Sequence, residues 1–180
     1  MHERRFHGEV ERLRAPQRFA LLEVERVVDL CLEGIQAMTV LDVGTGSGIF
    51  AEAFSNKGKS VTGIDPNPEM LKAAKEFVPT GTFLQGTVEG IPSKDKSFDL
   101  VFLGHVLHET DNLISALSES KRVAEKKVCI LEWPYKQEES GPPLEHRLKV
   151  EDVLAAAKQV GFSSMETIQL QHMVFFRFTI

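Results

Sequence analysis

Residues 41–48, LDVGTGSG, constrain this chain more than any other segment. An apolar run that breaks into three glycines, each separated by one residue, reads as a buried strand entering a tight turn and then a helix. The same alternation continues downstream. MTVLDVG, SVTGID, TFLQG, FDLVFLG and KVCILEW are five predicted strands, and METIQLQHMVFFRFTI alternates like two antiparallel ones. GSGIFAEAFSNKG, NPEMLKAAKEFVP, DNLISALSESKRVA and VEDVLAAAKQVGF are predicted helices, the second opened near Pro68, the third capped by Asp111, the last closed by Gly161. Residues 19–34 read as one extra helix, because Ala20, Val24, Val27, Val28, Cys31 and Ile35 recur at spacings of three and four, with Gly34 as its stop. Strand–helix alternation of this kind predicts a single α/β domain over 1–180, with a parallel sheet, helices on both faces and a final hairpin. Ligands bind beyond the carboxyl ends of such strands, so the chemistry is expected at 42–48, 65–70, 86–91, 103–109 and 132–148.

Gly44, Gly46 and Gly48 remove side chains where backbone and ligand must meet. No Gly-Lys-Ser/Thr follows, which excludes a P-loop, and the spacing is one residue short of the G-x-G-x-x-G of dinucleotide sites. Asp42, just before the glycines, would repel a pyrophosphate and suits a ligand with an ammonium group. S-adenosylmethionine has one, carries a sulfonium as well, and has no phosphate. Asp65 ends the second strand, 21 residues after Gly44. An acid there can accept hydrogen bonds from both hydroxyls of a ribose, in NAD as in the methyl donor.

After the fourth strand, LGHVLHET places His105 and His108 three residues apart, with Glu109 next. H-x-x-H-E matches neither H-E-x-x-H nor H-x-x-E-H, and no third ligand is evident, so no metal is expected. Two roles stay open for the histidines: acid–base chemistry on an acceptor, or ordering of the loop. Glu132, Trp133 and Tyr135 end the fifth strand beside the same cleft, where Glu132 can hold a cation or activate a nucleophile and the aromatics can line a pocket or plug the core.

A net charge of −5 argues against a broad nucleic-acid footprint. No apolar run reaches the roughly 20 residues of a membrane span, and the charged start MHERRFHGE has no apolar core, so no signal peptide is expected. Cys31 and Cys129 read as separate, small, buried hydrophobes, which fits a reducing, cytoplasmic setting.

Taken together, LDVGTGSG, VTGIDPNPEML, GTVEGIP and SFDLVFLGHVLHE resemble the class I S-adenosylmethionine-dependent methyltransferases, in the branch that includes quinone-biosynthesis C-methyltransferases and many small-molecule enzymes. The resemblance spans about residues 38–133. It implies a Rossmann-like three-layer sandwich around a seven-stranded, mostly parallel sheet with the last strand antiparallel. It also implies S-adenosyl-L-methionine as cofactor and S-adenosyl-L-homocysteine as product. By this resemblance Gly44, Thr45, Gly46 and Gly48 line the methionine part of the donor, with Leu103 and Gly104 at its edge, and Asp42 holds its amino group. Asp65 and Pro66 flank the ribose, and Met70, Thr87, Val88 and Glu89 surround the adenine. Thr87 stands where the family usually has an acid. His105, His108 and Glu132 are the candidate catalytic residues, with His105 the less expected of the two histidines. Methyl transfer demands alignment and exclusion of water more than an elaborate dyad. With no inserted domain, the acceptor is expected to be a small molecule.

Residues 1–18 carry five of the nine arginines (Arg4, Arg5, Arg12, Arg14 and Arg18). They can form a solvated arm or a homodimer contact, or fold over the site mouth to meet an anionic acceptor. The two-proline loop over 135–148 is long enough for a lid. The rival functions are a non-catalytic binder of the methyl donor and an NAD-dependent oxidoreductase.

Overall fold

Alternate residues of the central strands enter two different cores. In the computed structural model, which describes residues 10–138 and 140–180, seven strands form one sheet: β1 (Thr39–Val43), β2 (Ser60–Asp65), β3 (Thr82–Gln85), β4 (Phe98–Gly104), β5 (Ala124–Glu132), β6 (Ser164–Gln169) and β7 (Val174–Thr179). Their order is β3-β2-β1-β4-β5-β7-β6, and β7 runs antiparallel to both of its neighbours. Around them lie α1 (Val10–Leu13), α2 (Pro16–Leu21), α3 (Val24–Leu32), α4 (Ile49–Asn56), α5 (Pro68–Phe77), α6 (Leu113–Val123) and α7 (Val150–Val160). Val40, Leu100, Phe102 and Leu131 pack on one face against Val27, Val28 and Phe54 of α3 and α4. Their chain neighbours Leu41, Val101, Leu103 and Ile130 pack on the other, against Leu117 and Val153 of α6 and α7. Burial on both faces is why these strands read as nearly continuous apolar runs.

The structure departs from the sequence expectations at several points. Residues 19–34 are not one helix. α2 and α3 are separated at Leu22–Glu23, where Glu23 takes a left-handed backbone with φ 47°. Leu22 and Val24 are both buried, and two residues that far apart on a continuous helix would face opposite ways. The Glu23 carboxylate accepts hydrogen bonds from Arg26 at 2.7 Å and from the Gln171 N–H at 2.8 Å, holding the break in place. The cap of α6 is Asn112, whose side chain accepts from the Ser115 N–H at 3.0 Å, and not Asp111. Cys31 and Cys129 are buried and unbridged as expected, but they are not separate: they lie near each other between α3 and β5, close enough for Cys129 to reinforce burial in pushing the Cys31 thiol up. Nor is residue range 10–18 a free arm, because it forms α1 and the start of α2, with Leu13 buried. Arg4 and Arg5 lie outside the described residues.

Candidate active site

The carboxyl ends of β1, β2, β4 and β5 converge on one rim of the sheet. β1 delivers the glycine turn there. Gly44, Gly46 and Gly48 have φ of 67°, 51° and 80°, conformations that L-residues with side chains resist. Their surroundings differ. A Cβ at Gly44 would lie 2.3 Å from Val106 Cγ2, and one at Gly48 would lie 3.0 Å from Ala74 Cβ. At Gly46 the nearest atom would be the Gly44 carbonyl at 4.0 Å. Two of the three glycines therefore answer to protein packing, and the open approach is at Gly46. We expect Gly44→Ala to cost about 2 kcal/mol or more of stability in urea denaturation. Gly46→Ala should cost only about 1–2 kcal/mol of backbone strain, yet weaken the ligand at least about tenfold by titration.

Asp42 is buried at the end of β1. Its Oδ2 accepts from the Thr45 hydroxyl at 2.7 Å, so Thr45 serves the carboxylate. Burial pushes the Asp42 carboxyl up to about 7, against the pull of Thr45 and the Ala51 N–H, with nearby Asp65 raising it further. A buried acid in this state accepts a cation readily. Asp65 ends β2 and bridges it to the glycine turn: Oδ2 accepts from the Gly46 N–H at 3.0 Å and Oδ1 from the Asn67 N–H at 2.8 Å.

The residues assigned to the adenine side by resemblance sit after β2 and β3. Met70 and Val88 are buried, and Thr87 and Glu89 are exposed. Glu89 accepts from the Thr110 hydroxyl, and the Pro66 carbonyl accepts from Gln85 Nε2 at 3.0 Å. Leu103 points into the core, so only its backbone borders the rim, where Gly104 stands opposite Leu131.

Beyond β4 the two histidines part. His105 has φ 58°, and its N–H donates to the Leu131 carbonyl at 2.8 Å. Its ring stacks on Trp133 at 5.1 Å, with Nε2 3.4 Å from Met173 Sδ. Burial pushes it down to about 3, which leaves it neutral. His108 instead places Nδ1 2.9 Å from Glu132 Oε2, a pairing across 24 residues of sequence. Its N–H and that of Trp133 also reach the same carboxylate, each at 3.3 Å. Burial opposes charge on both partners, but each one's opposite charge and their hydrogen bond prevail: His108 lies above the ordinary histidine value and Glu132 below the ordinary glutamate value.

Sequence reasoning missed Arg147, which organises the loop after β5. Its guanidinium donates to the carbonyls of Pro134, Ser140 and Pro142 at 3.1, 2.6 and 2.9 Å and pairs with Glu138 at 3.2 Å. The segment is a strap wound around a buried cation, and Gly141 lies against Trp133. Trp133 is buried, whereas Tyr135 is exposed beneath Lys149. Among the described residues no group of three or more His, Cys, Asp or Glu side chains is placed to hold a metal.

A family model described as a methyltransferase domain matches residues 41–130, half of the chain. The chain belongs to the class I S-adenosylmethionine-dependent methyltransferases. The demethylmenaquinone methyltransferase of Chlorobaculum tepidum is 36% identical over 99 residues, covering 54% of this chain and 41% of that protein. The malonyl-[acyl-carrier protein] O-methyltransferase of Serratia marcescens is 34% identical over 84 residues, covering 47% and 33%. This chain thus spans less than half the length of these curated relatives. A solved S-adenosylmethionine-dependent methyltransferase from Aquifex aeolicus superposes with a TM-score of 0.83 at 26% identity, covering 95% of this chain and 96% of that one.

The family's donor fits the methyltransferase rim on two observations: the open, left-handed Gly46 and the buried, proton-holding Asp42. A pH dependence follows from the second. The folded Asp42 value lies above the unfolded one, about 3.9, so the ligand-free fold binds an extra proton between these values and loses this contribution to stability as pH rises towards 7. An ammonium beside Asp42 favours the ionised form and expels that proton. S-adenosylhomocysteine affinity is expected to rise from pH 5.5 to about 7 and then level off. Calorimetry in buffers of different ionisation enthalpy should show proton release below pH 7, and an affinity independent of pH would remove Asp42 from the ammonium site.

Proposed function

We propose that this chain transfers a methyl group from S-adenosylmethionine to a small-molecule acceptor, with His108 as the base. The observation that carries the reading is the His108–Glu132 pair, set on the same rim as Asp42 and Asp65. Bound there, the donor supplies a methyl group on a positively charged sulfur, which an acceptor nucleophile displaces to leave S-adenosylhomocysteine. Asp42 holds the ammonium and Asp65 the ribose hydroxyls, while Gly46 lets the donor lie close to the backbone. Glu132 engages Nδ1 of His108, which leaves Nε2 to take the proton of the acceptor. Neutral His105, stacked on Trp133, forms part of the wall. The strap around Arg147 follows β5 directly, with Gly141 against Trp133 and the Arg147 charge near enough to act on His108.

Among the described residues no helix is long and apolar enough to cross a membrane, and a water-borne acceptor in the cytoplasm suits the site. The test begins with calorimetric titration of S-adenosylmethionine and S-adenosylhomocysteine, with NAD as control. Micromolar binding of the sulfur ligands, and label appearing in an acceptor from a panel of hydroxyl, amine, carboxylate and activated-carbon compounds given methyl-labelled donor, would support the reading. Binding without transfer to any acceptor would favour a non-catalytic binder, and binding of NAD alone would overturn the reading.

A further inference from the structure

The segment before the first core helix is tied down at two distant points of the site rim. At one end, Arg14 Nη1 donates to the Ser47 carbonyl at 2.8 Å inside the glycine turn. Arg14 also pairs with Glu52 and lies 3.5 Å over the Phe77 ring. At the other end, Glu23 accepts the Gln171 N–H in the β6–β7 turn. The strand order between these anchors is β1-β4-β5-β7. The intervening helix α2 therefore spans the rim across the ends of β4 and β5, where His105, His108 and Glu132 gather.

Arg18 lies on α2, midway along that span. Among the described residues its guanidinium has no hydrogen-bond or carboxylate partner, although the side chain is largely enclosed and the charge of Arg12 lies nearby. A largely enclosed guanidinium without a carboxylate partner favours an anion beside it. The charge of Arg18 is felt at the His105 ring, whereas the groups acting on Asp42 are Thr45, Ala51 and Asp65. The anchors at Arg14 and Glu23 set Arg18 between the ends of β1 and β7, over the β4–β5 side of the rim.

We propose that Arg18 receives an oxyanion carried by the methyl acceptor, so that the acceptor is an anionic small molecule bearing a carboxylate or a phosphate. The proposal rests on the methyltransferase reading. A guanidinium binds either group through paired N–H donors, and α2 presents it where the acceptor must enter.

The test uses the whole chain saturated with S-adenosylhomocysteine, with malonate and inorganic phosphate as separate probes read by calorimetry and thermal shift. At least one probe should bind the unaltered protein, and Arg18→Gln should weaken that binding at least tenfold while S-adenosylhomocysteine affinity changes less than twofold. Arg18→Lys should recover part of the loss, and Lys158→Gln, on an exposed lysine of α7, should change nothing. The better probe identifies the oxyanion. Three results would overturn the proposal: neither probe binding, equal binding to Arg18→Gln, or a tenfold loss of S-adenosylhomocysteine affinity in that variant, which would assign the guanidinium to the donor's carboxylate. If the unaltered protein fails to bind S-adenosylhomocysteine at all, the methyltransferase reading fails and the proposal with it.

Discussion

Glu132→Ala is expected to destabilise the fold by about 3–5 kcal/mol, the range for breaking a buried ion pair from one side. Three donors depend on this carboxylate: His108 Nδ1, the His108 N–H and the Trp133 N–H. Alanine leaves the two backbone donors without their acceptor in a site only 2% exposed. The melting temperature should fall by about 10 °C. Glu132→Gln keeps an acceptor oxygen and should cost less, but it removes the charge that holds His108 above the ordinary histidine value. If His108 is the base, methyl transfer rises with pH as it loses its proton, and the acidic limb moves to lower pH in Glu132→Gln. The pair also gives stability a pH window. The contribution of Glu132 is complete above the ordinary glutamate value of about 4.3 and is lost as pH falls through its lowered value. That of His108 is complete below about 6.5 and is lost as pH rises through its raised value. An unshifted acidic limb in Glu132→Gln would remove His108 from the reaction, and unchanged melting of Glu132→Ala would mean that the pair is not formed.

Asp65→Ala should lower S-adenosylhomocysteine affinity on the order of 100-fold, because one carboxylate serves both ligand and protein. It is expected to accept from the ribose, and it also fixes Gly46 and Asn67. Removing it loosens the glycine turn at its one open position as well as deleting a contact. Asp65→Asn is not a mild alternative. Its amide nitrogen would have to face either the Gly46 or the Asn67 N–H, donor against donor. Asparagine should therefore bind nearly as poorly as alanine, in contrast to the partial rescue usual for an amide in place of an acid. Calorimetry separates the cases, and an affinity within threefold of the unaltered protein for either variant would place the ribose elsewhere.

Local features of the chain were legible from sequence. β4 occupies the predicted stretch Phe98–Gly104, and the turn at 44–48, the cap at Gly161 and the final hairpin form where glycine and alternation place them. Asp42 and Asp65 could be singled out because both end strands, and strand ends share a rim. What escaped depends on contacts distant in sequence. The break at Glu23 is held by Gln171, 148 residues away. Nothing in LGHVLHET separates His105 from His108; Glu132 does, arriving on the next strand. An added Cβ at Gly44 or Gly48 would meet Val106 or Ala74, and a glycine vacated for a neighbouring side chain looks the same in sequence as one vacated for a ligand. Asn112 and Asp111 are equally good caps by type, and only the backbone angle at the helix start selects between them.

The antiparallel course of β7 determines where residue 180 lies. Thr179 pairs with Lys127 near the start of β5, and the Ile180 N–H donates to the Lys126 carbonyl, so that end of the chain is at the rim opposite the site. Residues 10–18, by contrast, lead directly onto the mouth. A bead, dye or carrier protein attached through residue 180 would leave the entrance clear, whereas the same cargo attached at exposed Gln17 of α2 would crowd it. Immobilisation chemistry, usually chosen for convenience, here decides whether the acceptor can enter.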